Sequence, residues 1–343
     1  VRVLFSLREM TRAETTKATE AIVARWAALA LPLALLTPGC GSTHEQEPFS
    51  ASRPDPGATA AGGVVRAGSV QAAVSVVNGD TEQAVSGAQV TVSGRPFTSD
   101  GAGTFAAPDP TLPDAPVEIA AGGFLKRETL MRTDARFTLW PERGDFPASF
   151  TQEMVYNPAF IQDGKLSRPA GGVFIVFGSG IEGDAQAAIR EAASLLTAAS
   201  GGRIPFTVGA GSPTITVSVD PSAAFFAQNP GAAAFALVPF VGNVLGGADG
   251  KLTFKEAGFA RIKSLAAHEL GHHYGLGHPT GQPAIMNATV DPGRSDYTSA
   301  EKLAIKMMAL RRPGNAFPDN DRAVVGASAR RGVAVFGCGL LNQ

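Results

Sequence analysis

Four of the five histidines in this 343-residue chain fall within one short stretch, His268-Glu269-Leu270-Gly271-His272-His273-Tyr274-Gly275-Leu276-Gly277-His278. His268 and His272 stand four apart, so on a helix of about 3.6 residues per turn their imidazoles leave the same face, one above the other. Two nitrogen ligands for one cation are placed in this way without distortion. Glu269 lies about a hundred degrees round that helix, beside such an ion rather than on it, where a carboxylate can take a proton from a metal-activated water. Gly275 arrives where the helix has to stop, because a residue free to take positive φ lets the chain turn sharply. The turn brings His278 back to the same cation. Three protein nitrogens leave the fourth position of a tetrahedral Zn2+ open, which suits a catalytic site and not a structural one. His273 and Tyr274 point to other faces of the helix and are expected to pack.

The spacing His-Glu-x-x-His-x-x-Gly-x-x-His resembles the signature of the metzincin zinc peptidases, and the resemblance extends to Ala284-Ile285-Met286-Asn287, where that family has its Met-turn. It covers roughly residues 145 to 310, strongly from Leu265 to Asn287 and in outline elsewhere. It implies one zinc ion held by His268, His272 and His278, Glu269 as general base, Gly275 at the turn, Met286 as a hydrophobic floor, and a protein or peptide as substrate. The implied fold is an α+β zincin, a twisted sheet with two helices above the cleft and a C-terminal helix below. Ala288 stands where astacin-like and serralysin-like members carry a tyrosine ligand, so the site looks matrixin-like or reprolysin-like. No cysteine lies between Gly41 and Gly337, so the thiol of a matrixin propeptide is lacking and latency through a zinc-bound thiol is not expected. Tyr297 is a further candidate, as a donor to the transition state.

The sequence implies a multi-domain chain. Residues 1–40 have the build of a signal peptide, with an apolar run from Trp26 to Leu36 behind Arg12, Lys17 and Arg25. The run is too short for a membrane-spanning helix, which needs about 20 apolar residues. Leu36-Thr37-Pro38-Gly39-Cys40-Gly41-Ser42 resembles a bacterial lipobox and makes Cys40 a candidate for lipidation and membrane attachment. Export to the cell envelope or secretion is expected. With 29 basic and 30 acidic residues the chain has no field that would gather nucleic acid. Residues 41–63 are rich in Pro and Gly with no hydrophobic period and read as a linker.

From 64 to 141 short alternating runs are broken by Gly and Asp, as in Val70–Val77, Ala88–Val92, Val117–Ile119 and Arg136–Leu139. Alternation at period two with such breaks indicates a small antiparallel all-β sandwich, transthyretin-like or immunoglobulin-like. The stretches Val85–Val92, Thr98–Phe105 and Ala120–Phe124 resemble carboxypeptidase-regulatory-like domains, which implies a non-catalytic spacer. Residues 142–312 form the expected peptidase domain. Val173–Phe177 reads as a buried strand, Ala185–Ala199 as a helix stopped by Gly201-Gly202, Ile204–Val208 and Thr214–Val219 as strands, and Lys251–Phe254 as an edge strand. A helix is expected from Glu256 to Tyr274, and Thr298-Ser-Ala-Glu301 is a capping box opening a last helix to Leu310. Residues 313–343 show no period and are expected to be a tail, with Cys338 an inert thiol. A surface adhesion or binding lipoprotein with an inactive or self-processing zincin domain is the competing function.

Overall fold

The computed structural model describes residues 73–106, 114–131, 136–156, 164–247, 250–324 and 331–341. The expected leader, the linker and Cys40 lie outside the described residues. All described residues belong to one compact unit, Arg66–Gln343.

Its first part consists of β1 (Ala73–Asn78), β2 (Gln89–Val92), β3 (Arg95–Thr98), β4 (Thr104–Ala106), β5 (Pro116–Ala120), β6 (Arg127–Leu130) and β7 (Arg136–Leu139). They form two sheets, ordered β4-β1-β7 and β3-β2-β5-β6. Alternate residues of each strand point to one face, and so Val74, Val76, Val90, Val92, Val117, Ile119, Phe137 and Leu139 meet in one core. β1 pairs with β7 in parallel, where the alternation predicts an antiparallel arrangement throughout. β3 and β6 carry no apolar alternation. β6 turns Arg127 and Thr129 inward instead, and both side chains reach Asp321 from the far end of the chain.

The second part runs α1 (Ala148–Val155), β8 (Arg168–Pro169), β9 (Val173–Phe177), α2 (Asp184–Ala199), β10 (Phe206–Val208), β11 (Thr214–Val219), α3 (Ala224–Gln228), β12 (Ala234–Val241), β13 (Val244–Leu245), β14 (Gly250–Phe254), α4 (Ala257–Ala260), α5 (Lys263–Tyr274), β15 (Thr289–Val290), α6 (Ser299–Leu310), a 3-10 turn at Asp321–Val324 and β16 (Arg331–Leu340). Its sheet is ordered β10-β9-β11-β14-β12 before continuing into β13 and β8. β10, β9, β11 and β14 are mutually parallel, and β12 runs against them. α2 buries the stripe Ala185, Ala188, Ile189, Ala192 and Leu196. It ends where Gly201 and Gly202, both at positive φ, donate back to Ala198 and Thr197, as glycine permits at a helix C-terminus. α2 and α5 pack on each other, and their apolar residues share one core with β9, β11 and β14.

Three further expectations differ from the structure in this second part. β14 is not an edge strand, because β11 flanks it on one side and β12 on the other. The helix expected from Glu256 is broken at Arg261 and Ile262, so α5 starts afresh at Lys263. Most important, the expected tail contains β16, whose residues 331–338 pair with the whole of β12 and whose end pairs with β15. β16 is apolar on both faces between glycines, so it has no one-sided alternation to read. Two waiting strand edges specify it instead.

Candidate metal centre

α5 is buried from Ser264 to Tyr274 and lies at the heart of the core. It ends at Gly275, whose φ of 111° lies in the region that favours glycine. A Cβ there would also run into the Ser167 carbonyl oxygen, so backbone conformation and close approach both demand glycine. Gly275 and Leu276 donate to the Gly271 carbonyl, and Gly277 donates to Met154 of α1 at 2.8 Å. The chain is thereby turned back and docked, which returns His278 towards α5.

The three imidazoles converge through Nε2, at 3.1 Å for His268–His272, 3.2 Å for His268–His278 and 3.1 Å for His272–His278. Nδ1 of His268 faces the Ile285 carbonyl at 2.8 Å, and Nδ1 of His272 faces the Leu276 carbonyl at 2.9 Å. A carbonyl only accepts, so each Nδ1 carries the proton and each Nε2 presents a lone pair. Burial, aided by the neighbouring His278 charge, lowers the pKa of His268 to about 3; burial and the other two imidazoles take His272 well below its ordinary value. Burial also lowers His278, which is half-buried. Neutral rings with lone pairs facing each other have no proton to share, and a cation among them turns that repulsion into coordination. Nitrogens around a tetrahedral zinc with Zn–N near 2.0–2.1 Å stand about 3.3–3.4 Å apart. The observed triangle is a few tenths of an ångström tighter, so the donor set fits such an ion.

Glu269 is fully buried beside this triangle, and burial raises its pKa to about 8. Its Oε1 accepts from Cys338 Sγ at 2.7 Å, and its Oε2 is buried with no hydrogen-bond partner. Met286 is fully buried against the helix, so close that a Cβ on Gly271 would strike its sulfur. The Met286 N–H donates to Glu301 Oε1 at 2.8 Å, while Thr298 N–H donates to Glu301 Oε2 at 2.8 Å. The capping box of α6 therefore also pins the loop whose Ile285 carbonyl orients His268. Such outer partners fix ligand tautomer and orientation.

The sequence-derived candidates His268, His272, His278, Glu269, Gly275 and Met286 are thus gathered in one place. Tyr297 is placed differently from the expectation. Its hydroxyl donates to the Ala267 carbonyl at 2.6 Å inside the core, so it is committed to α5 and is not free to act as a donor in the cleft. His273 Nε2 donates to the Lys251 carbonyl and Tyr274 to the Ile305 carbonyl, as packing residues do. Two site residues were missed by sequence reasoning. The Phe336 ring stacks on His272 with centroids 4.3 Å apart, and Cys338 reaches Glu269 across 69 residues of chain. Neither belongs to a local motif, and only the pairing of β16 brings them there.

No family model matches the chain, and no curated protein matches it. Among solved structures it is similar to the exo β-N-acetylglucosaminidase of Vibrio harveyi in complex with N-acetylglucosamine, at 13% identity over 54% of this chain and 29% of that one, with a TM-score of 0.19. An inactive mutant of the same enzyme matches at 12% identity over 54% and 32%, also with a TM-score of 0.19. The chain spans under a third of the length of these matched chains. A TM-score of 0.19 is far from a shared fold.

Proposed function

We propose that the chain is a zinc metalloendopeptidase of the metzincin type, hydrolysing peptide bonds of extracellular or envelope proteins. The observation that carries this reading is the convergence of three Nε2 atoms, two of them made lone-pair donors by backbone carbonyls at Nδ1, beside a buried carboxylate. The sheet with one antiparallel strand, helices α2 and α5 packed on it, and α6 behind the Met286 loop is consistent with the zincin architecture the signature implies.

His268, His272 and His278 would hold the ion. Bound zinc supplies Lewis acidity, lowering the pKa of a water and polarising a scissile carbonyl. Glu269 would accept the proton of the attacking water. Burial raises the pKa of Glu269 in the metal-free site, and a nearby cation draws it back towards the carboxylate form that a base needs. Glu269 then delivers the proton to the leaving amine. The Ile285 and Leu276 carbonyls keep two rings in the tautomer that directs Nε2 inward, and Met286 closes the floor against water. Lipid attachment through Cys40 or plain secretion both suit an envelope substrate.

Substituting Glu269→Ala is expected to leave about one zinc per chain by metal analysis while casein hydrolysis falls by orders of magnitude. Undiminished hydrolysis in that variant sinks the assignment. Because β16 covers the site, hydrolysis is best compared in chains whose β16 has been weakened as described below. Zinc without proteolysis in every such chain favours the adhesion or binding lipoprotein instead.

A further inference from the structure

β16 pairs antiparallel with β12 from Ala234↔Cys338 to Val241↔Arg331, on the side of β12 opposite β14. Its other edge pairs in parallel with β15, Thr289↔Gly339 and Val290↔Leu340, and the Leu341 N–H donates to Val290. It therefore fills a slot one strand wide between two strand edges. The inward residues Ala334, Phe336 and Cys338 are buried, whereas Val333 and Val335 are 55% and 53% exposed. Phe336 covers the His272 ring, and the Cys338 thiol occupies Glu269 Oε1. Two of the groups that the peptidase reading requires are thus covered by the chain itself.

Without β16, the outer edges of β12 and β15 would carry unpaired N–H and C=O groups on either side of a groove floored by His272 and Glu269. An open strand edge recruits an extended peptide by strand addition. A segment tethered in the same chain competes for that place at high effective concentration. β16 is held firmly by its eight-residue ladder with β12 and more lightly on its other side. The pairing with β15 is only two residues long, and Val333 and Val335 on the outer face meet solvent.

We propose that β16 is a built-in inhibitor that lies in the substrate groove in place of an extended peptide, with Phe336 and Cys338 closing the metal centre, so that the enzyme acts only once this strand is displaced. This inference rests on the peptidase reading above. It is separate from latency through a zinc-bound thiol, since Cys338 arrives from the C-terminal side and donates to Glu269.

The test uses the full zinc-loaded chain, the double variant Val333→Pro/Val335→Pro and the single variant Phe336→Ala. Proline in a strand removes a ladder donor, and at exposed positions it spares the core. The single variant keeps the test alive if the prolines impair folding. Casein hydrolysis, zinc content, intact mass and the rate at which a chromogenic chelator strips the zinc are measured for each. Both variants are expected to start with the wild-type zinc content, to lose it at least about tenfold faster to the chelator, and to hydrolyse casein at least about tenfold faster. A synthetic peptide of residues 331–341 is expected to slow both again. Stripping and hydrolysis at wild-type rates in both variants overturn the proposal. So does an intact mass showing cleavage within 331–340, which makes the strand a substrate. Faster stripping with no hydrolysis in any chain upholds closure by β16 and sinks the peptidase reading instead.

Discussion

Glu269 is a carboxylic acid held in a dry place. Burial raises its pKa from an ordinary 4.5 to about 8. A group raised in the folded state contributes stability that is whole below its unfolded pKa and is lost as pH rises through the folded one. In the metal-free chain the stability from Glu269 is therefore present below 4.5 and drains away between 4.5 and about 8. His268 acts in the other direction, since its pKa is lowered from 6.5 to about 3 and its stability is lost as pH falls through that window. Comparing the metal-free wild type with Glu269→Gln cancels the histidine contribution. Urea unfolding is expected to show Gln gaining on Glu from about pH 5 to about pH 8, by up to a few kcal/mol. Zinc should narrow that gap, because a nearby cation favours the carboxylate. A gap that stays constant with pH in the metal-free chains would mean that Glu269 ionises as freely when folded as when unfolded.

At the level of elements, what could be read in the sequence was what is periodic or carried by a local motif. The Val173–Phe177 run, the stripe of α2 with its glycine stop, and the Thr298–Glu301 box each have a local cause, and each has its counterpart in the structure. The site histidines were legible because helix phase and one glycine turn are enough to gather them. β3, β6 and β16 were not legible, since long-range partners decide them: β6 needs Asp321, and β16 needs the edges of β12 and β15. The capping box illustrates the limit well. Its sequence predicts a helix start and is silent on the second task of Glu301, which is to hold Met286 and, through Ile285, the orientation of His268. The two tasks separate by mutation. Thr298→Ala is expected to cost about 1 kcal/mol of stability and leave zinc affinity alone. Glu301→Ala is expected to weaken zinc binding by about tenfold or more, read by competition with a chelator of known affinity. Equal zinc affinity in the two variants would reduce Glu301 to a helix cap.

Across the whole unit, a buried polar network ties the β-sandwich to the second part of the chain. Arg311, 2% exposed, makes two contacts of 2.6 Å with Asp319 and donates to the Thr138 carbonyl of β7 at 2.8 Å. Arg127 of β6 donates to the same carbonyl and to Asp321, and Asn315 bridges Asp319 and Asp321. Tyr156, at the end of α1, donates to Asn315 at 2.6 Å. Burial and the neighbouring Arg311 lower the pKa of Arg127 to about 10, a sign of two guanidinium groups crowded around few carboxylates. A buried ion pair adds little over a hydrophobic contact, but removing one partner strands the other charge at a cost of about 3–5 kcal/mol. Asp319→Ala should therefore lower stability by about that amount, far more than loss of a surface pair. Because the stranded Arg311 sits between the two parts, the cost should fall on their junction. Calorimetry is expected to show one unfolding transition for the wild type and two for Asp319→Ala, with zinc content unchanged. Two transitions already in the wild type would mean that the network joins surfaces that unfold independently. One undisturbed transition in the variant would mean that Asp321 alone suffices for both arginines.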